Sequence, residues 1–263
     1  MKILWIGGNH SRHLYFLNSL YKEFDIAGAI IQKRENIMPQ PPNDILEKDK
    51  QNFTRHFTDR NNAEKKYFGI QKYPECKILE TNAEQLNSIE TKNFVDSIKP
   101  DVAIIFGTEL IKEPVFSTLP RHTINLHSGL SPRYRGSATL FWPFYFMEPN
   151  FAGSTFHYIV SEPDAGNVIH QCVPELHPDY GIHDVACKSV MKSVDESIPL
   201  FRIFEKEGKW TTFKQKGTGK NFLDSDFKPE HLRIIYDLFD NDMVKQYLEG
   251  KIKAKTPNLI RQF

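Results

Sequence analysis

The sequence predicts an open, mostly parallel, Rossmann-like α/β sheet with a small C-terminal extension. Two short, near-continuous apolar runs, residues 2–7 (KILWIG) and 26–31 (IAGAII), flank a helix-like segment, and residues 101–106 (DVAIIF) repeat the type. Strands read this way when helices cover a parallel sheet on both faces. At 263 residues and 40% hydrophobic content, the chain has enough material for one sizeable core, or one core plus an appendage.

The elements follow in order. Gly7-Gly8 closes the first strand, and Leu14, Leu17 and Leu20 mark the helix after it. Residues 32–77 form an excursion from the sheet: Pro39, Pro41 and Pro42 break regular structure, and a charged helix runs from Asn43 to about Phe68. The pattern resumes at Leu79, with a helix over 82–98 (Leu86, Ile89, Phe94, Val95, Ile98) closed by Pro100. After the strand 101–106 come a short helix over 109–118, a strand at 122–127 and a Gly/Pro/Ser-rich loop. A helix over 137–147, a strand over 153–160 and a helix over 182–206 complete a main domain spanning 1–206. Residues 207–263 form a module of a hairpin, with turn glycines around 208–219, and a helix over 229–249. Six basic residues against two acidic ones between Arg202 and Lys220 read as a solvated face.

Composition excludes several function classes. With 34 Lys+Arg against 33 Asp+Glu there is no global field to steer a polyanion, so nucleic acid is not an expected partner. No segment reaches the roughly 18 apolar residues of a membrane span, and the N-terminal apolar run is too short for a signal peptide. The three cysteines, Cys76, Cys172 and Cys187, are widely spaced and form no CxxC pair. His10 and His13 stand three apart, with no third ligand evident, so no metal is expected. A cytoplasmic protein with buried free thiols fits these features.

The informative stretch is INLHSGLSPRYRGSATLFW, residues 124–142. Asn125 and His127 stand two apart in a strand, so their side chains share one face and Ile124 and Leu126 take the other. The pair lies at the C-terminal end of a strand, where open α/β sheets bind ligands. Asp164, in the SEPDAGNVIHQ stretch after the next strand, is placed to fold back onto His127. Acyl transfer to an amine needs an oxyanion donor, a proton carrier and a group that holds the carrier, and Asn, His and Asp supply these. Ser128 follows His127 directly and points away from it, which disfavours a Ser/His/Asp hydrolase. His157, in mid-strand, reads as a structural histidine with its hydrogen bonds satisfied.

These residues resemble the folate-dependent formyltransferases, whose signature is N-x-H, a loop ending P-x-Y-R-G, and a later D-x-G turn. Asn125, His127, Pro132, Tyr134, Arg135, Gly136, Asp164 and Gly166 match it. Gly129-Leu130-Ser131 departs from the family's usual S-L-L, with Ser131 where the second leucine stands. The resemblance covers residues 79–172 well and 1–31 in pattern only. It implies the formyltransferase fold, catalysis by Asn125, His127 and Asp164, and N10-formyltetrahydrofolate as donor. The pterin would lie along Phe106, Gly107, Thr108, Glu109, Leu110 and Ile111 and the loop near Asp164.

Within that family the chain looks most like the nucleotide-sugar N-formyltransferases of surface-polysaccharide (O-antigen and lipopolysaccharide) pathways. The implied acceptor is a nucleotide-linked amino sugar, dTDP-4-amino-4,6-dideoxyglucose being one candidate. Glycinamide ribonucleotide formylation, hydrolysis of the formyl-folate and a non-catalytic folate or nucleotide module are the alternatives. Candidate acceptor contacts are His10, Ser11 and Arg12 at the first strand end, Arg135, and Phe141 and Trp142. For each, a structural role competes: a solvated loop, a loop-pinning arginine, a helix-face core. The aromatic residues of 207–263 are too many for so short a segment to bury alone, which suggests a homodimer through the module.

Overall fold

The computed structural model describes residues 1–34, 37–216 and 219–263. The elements are β1 (Lys2–Gly8), α1 (Ser11–Tyr21), β2 (Asp25–Gln32), α2 (Glu47–Phe68), β3 (Lys77–Thr81), α3 (Ile89–Ile98), β4 (Val102–Phe106), β5 (His122–His127), β6 (Tyr134–Gly136), α4 (Trp142–Tyr145), β7 (Ser154–Tyr158), β8 (Val168–Cys172), α5 (Ile182–Glu207), β9 (Lys220–Phe222) and α6 (Met243–Leu248). The main sheet has the order β3-β2-β1-β4-β5-β7-β8. The first five strands are parallel, and β7 and β8 are antiparallel. The chain runs outward from β1 to β3 and then returns to the other side of β1, so the strand order reverses between β1 and β4. Ligand crevices open beyond strand C-termini at such a switch.

Both faces of the sheet are covered. Trp5, Phe16, Ile104, Ile124 and Leu126 pack with the apolar side of α5 on one face, and Leu4, Ile6, Ile105 and the Val95–Ile98 side of α3 pack on the other. That double cover is why the central strands read as unbroken apolar runs.

Several expected elements are shorter. The helix expected over 82–98 begins at Ile89, because the Ser88 hydroxyl caps it by accepting from the Thr91 N–H at 3.2 Å. The helix expected over 109–118 is a single 3₁₀ turn, Phe116–Thr118. The one expected over 137–147 shrinks to α4: Ala138 at φ 53° and Met147 at φ 56° break it at either end, and residues 137–141 become wall for the cavity described below. The helix expected over 229–249 splits into a 3₁₀ turn, a π turn (Ile234–Leu238) and α6, with Asp240 and Asn241 at positive φ between the last two. The break has a use. Asn241 Oδ1 accepts from the Ile182 N–H at 3.0 Å, capping α5 where Gly181 has no side chain to do so. The edge strand β8 has no counterpart in the sequence reading.

Residues 207–263 pack against the rest of the chain. Among the described residues the halves of the expected hairpin pair elsewhere: Phe213 bridges to Val168, and β9 pairs in parallel with β6. The expected turn glycine Gly217 lies outside the described residues. Phe222, Leu232, Ile235, Tyr236, Met243 and Val244 are buried in one cluster with Phe53 of α2, Trp142 and Phe144 of α4, and Ile182 and Val185 of α5. Trp142 stacks on Phe222 at 4.4 Å, and the Trp210 indole donates to Leu200 O at 2.7 Å. Trp210, Phe222 and Tyr236 of this segment are buried within the chain, whereas Phe213 and Phe263 are exposed. No helix among the described residues is long and apolar enough to cross a membrane.

Candidate active site

The β5 alternation carries Asn125 and His127 to the rim of the switch-point crevice, while Ile124 and Leu126 enter the core behind. Asp164 folds back from the turn after β7 to meet them. One carboxylate oxygen, Oδ2, is 3.3 Å from His127 Nδ1 and accepts from the Gly136 N–H at 2.9 Å. The other, Oδ1, is 3.4 Å from both Asn125 Nδ2 and His157 Nε2. Asp164 thus joins the strand end, the P-x-Y-R-G loop and β7.

His157, expected to be a structural histidine with its hydrogen bonds satisfied, has partners at both ring nitrogens, and they place it beside the site. It is paired with Asn125 across β5 and β7, and its side chain belongs to this cluster. Its Nδ1 lies 2.9 Å from Tyr158 O, and its Nε2 lies 3.2 Å from Asn125 Nδ2 and 3.4 Å from Asp164 Oδ1. A β7 residue facing Asn125 was the available signal, but it needed the antiparallel register.

His127 is buried, with Nε2 2.8 Å from Tyr134 O and Nδ1 toward Asp164. Burial pushes its imidazole down from the usual value, and Asp164 and the Tyr134 carbonyl push back up. Burial would raise the Asp164 carboxyl, but His127, His157 and the Gly136 N–H together hold it well below the ordinary carboxylate range. Both ring nitrogens of His127 thus face acceptors, Asp164 Oδ2 and Tyr134 O, so the ring in its neutral form can donate to only one of them at a time. Gly129, where the family pattern has serine, lets the loop pass close: a Cβ there would sit 2.6 Å from His127 Nε2. Among the described residues no hydrogen bond joins Ser128 to His127.

A cavity of about 520 Å³ opens beside this cluster. At the reacting end it is lined by Phe106, Gly107, Thr108, Asn125, His127 and Asp164. Its far wall comes from α2 (His56, Phe57, Arg60, Glu64), α5 (His183, Cys187) and Phe227 of the C-terminal segment. Burial holds the His13, His56 and His183 imidazoles below their usual range, His183 at about 3, so the wall's positive charge comes from Arg12, Arg34 and Arg60. Arg12 Nη1 and Arg60 Nε both approach Glu64 Oε1, at 2.6 and 3.4 Å.

The sequence-predicted contacts divide. Phe106, Gly107, Thr108, Arg12 and Phe141 line the cavity. Glu109, Leu110 and Ile111 do not: Glu109 pairs with Arg34 at 2.6 Å, Leu110 faces outward and Ile111 is core. Nor do His10 and Ser11; His10 stacks on His13 at the start of α1. Trp142 is also core rather than wall, its indole N–H donating to Ser137 O at 3.0 Å. Arg135 lies outside the cavity and faces Glu162 at 3.5 Å. Among the described residues no cluster of three His, Cys, Asp or Glu side chains could hold a metal. Burial raises the Cys172 and Cys187 thiols to about 12.

A family profile described as formyl transferase matches residues 33–197, more than half of the chain, and so takes in Asn125, His127, the P-x-Y-R-G loop and Asp164. The chain belongs to the formyl transferase family. It is an enzyme of that family, and its sheet has the formyltransferase fold. Among solved structures it is similar to a 4-N formyltransferase from Francisella tularensis, at 18% identity over 86% of this chain and 77% of that one, with a TM-score of 0.55. It is similar to an N-formyltransferase from Helicobacter canadensis in complex with folinic acid and dTDP-3-aminofucose, at 15% identity over 97% and 85%, TM-score 0.54. A phosphoribosylglycinamide formyltransferase from Anaplasma phagocytophilum matches at 15% identity over 85% and 98%, TM-score 0.55. At these identities the formyltransferase shares a fold with each of them. The α2 wall, by contrast, could not be found from sequence: residues 47–68 read only as a charged helix, and which face meets the cavity depends on packing against α5 and the C-terminal segment.

Proposed function

We propose that this enzyme transfers the formyl group of N10-formyltetrahydrofolate to the primary amine of a nucleotide-linked amino sugar, with a dTDP-linked 4-amino-4,6-dideoxyglucose as the first candidate. The observation that carries this reading is the shared cavity, with the Asn125–His127–Asp164 cluster at one end and an arginine-and-aromatic wall at the other. The Helicobacter canadensis enzyme's complex with folinic acid and a dTDP-amino sugar supports both ligand classes.

The amine attacks the formyl carbon, a new C–N bond forms, and the carbonyl oxygen takes up negative charge. Asn125 keeps one amide hydrogen on the His157–Asp164 corner and offers the other to that oxygen. His127, with its one proton on Nδ1 toward Asp164, has a bare Nε2 that cannot bond the Tyr134 carbonyl; Nε2 turns from that oxygen and accepts a proton from the attacking nitrogen. It returns that proton to N10 of the folate as the old C–N bond breaks. The pterin lies along Phe106–Thr108, at the β4 end. The diphosphate lies against Arg12 and Arg60, which with Glu64 carry a net positive charge, and the base meets Phe57, Phe141 and Phe227.

The test is an acceptor panel assayed for tetrahydrofolate release: dTDP- and UDP-linked amino sugars, glycinamide ribonucleotide, and no amine. Turnover with a nucleotide sugar alone is expected. Turnover with glycinamide ribonucleotide, which the Anaplasma phagocytophilum likeness makes the second reading, overturns the acceptor assignment. Rapid formate release without any amine overturns transfer itself. With the cognate sugar, Arg60→Ala should raise the acceptor KM about tenfold while leaving kcat and the folate KM within about threefold. A fall in kcat with unchanged acceptor KM would place Arg60 outside the acceptor site.

A further inference from the structure

One side chain of the C-terminal segment reaches the catalytic cluster. Phe213 and Val168 exchange two backbone hydrogen bonds, each 2.9 Å, which tie this segment to the start of β8. Two residues on, Gln215 Nε2 donates to Asp164 O and to Gly166 O, both at 2.7 Å. Because both partners are carbonyls, the orientation of the amide is fixed: nitrogen toward the turn. Gln215 Oε1 has no partner among the described residues, so the side chain's bonding is committed to these two carbonyls.

The turn it holds is one that needs holding. Asp164 has φ 51°, a left-handed conformation that a non-glycine residue keeps only when its surroundings impose it. Gly166 is pressed so close to β7 that a Cβ would lie 1.7 Å from Tyr158 O. The Asp164 carboxylate is gripped from the front by His127, Gly136 and Asn125. Its backbone is gripped from behind by Gln215 alone among the side chains described. The front contacts to His127, Asn125 and His157 are long, 3.3 to 3.4 Å, so a small shift of the turn breaks them.

We propose that Gln215 is a positioning residue for formyl transfer: by clamping the backbone of the 164–166 turn it keeps the Asp164 carboxylate on His127. This rests on the reading of Asp164 as the group that holds His127. It gives the C-terminal segment a part in the chemistry, although Gln215 touches no reacting atom.

Three variants isolate the clamp, with Asp164→Asn as reference. Gln215→Ala removes the donor. Gln215→Glu keeps the shape but sets an acceptor against two carbonyls. Gln215→Lys changes the shape and keeps a donor. The expected result is a kcat lowered about tenfold or more in the Ala and Glu variants, since a displacement on the order of 1 Å can cost up to about a hundredfold. The Lys variant should recover most of that loss. KM for folate and acceptor should stay within about twofold, and melting temperatures should agree closely. Unchanged kcat in the Ala and Glu variants, with Asp164→Asn inactive, overturns the clamp and leaves the chemistry standing. A Lys variant as slow as the Glu variant also overturns it, since the segment would then act by packing. An active Asp164→Asn overturns the reading on which the clamp rests.

Discussion

Replacing Asp164 with asparagine is expected to lower kcat about a thousandfold while leaving both KM values close to those of the parent enzyme. The magnitude follows from what the carboxylate does. It holds His127 through Nδ1, and a held imidazole in the right tautomer is worth roughly 10²- to 10⁴-fold in acyl transfer. An amide of the same shape can sit in the same place but offers the ring no charge. The pH profile should move as well. Burial, His157 and Arg135 lower the His127 pKa, and Asp164 and the Tyr134 carbonyl raise it. Without the carboxylate it falls further, so the acid limb of kcat shifts to lower pH. Stability gives an independent reading. The Asp164 carboxyl is depressed below its unfolded value of about 3.9. Its stabilising contribution is therefore complete above that pH and is lost as pH falls through the lower folded value. The melting-temperature difference between parent and variant should be constant at neutral pH and shrink below about pH 4. A variant with parental kcat would remove the cluster from the chemistry.

How much of this was legible in the sequence depends on the range of the interactions. The parallel half of the sheet was visible because burial on both faces writes an unbroken apolar run at 2–7, 26–31 and 101–106. Asn125 and His127 were visible because a strand's two-residue period puts them on one face, and Asp164 because the D-x-G turn stands where the motif has it. His157 was hidden because its partner is across an antiparallel pair, and register is not written in either strand alone. Trp142 read as an optional pocket wall because nothing local says that Phe222, eighty residues on, stacks against it. The helices at 137–147 and 229–249 were overextended because periodicity cannot see Ala138 or Asn241 at positive φ, which tertiary contacts impose. The α2 wall and Gln215 were out of reach for the same reason: His56 of the wall contacts Tyr236, 180 residues away, and Gln215 contacts Asp164, 51 residues away.

Gly136→Ala should cripple the enzyme at a position that touches no reacting atom, with kcat down about a hundredfold and a melting temperature lower by roughly 5 °C. Gly136 has φ 85°, and an added Cβ would fall 2.1 Å from Phe222 O and 2.6 Å from Asn221 Oδ1. Neither strain can be relieved by a rotamer, because the first obstacle is backbone and the conformation itself is one that L residues rarely hold. The seam between β6 and β9 must open. When it does, the Gly136 N–H moves off Asp164 Oδ2, which it holds at 2.9 Å. Phe222→Ala separates the two consequences. It empties the stack on Trp142 and should cost more stability, roughly 3–5 kcal/mol for a buried aromatic side chain. It adds nothing beside Gly136, however, so the N–H to Asp164 survives and kcat per folded molecule should stay within about threefold of the parent. If instead kcat falls together with melting temperature in both variants to the same degree, the seam matters only as packing, and the Gly136 N–H is not what keeps the carboxylate on His127.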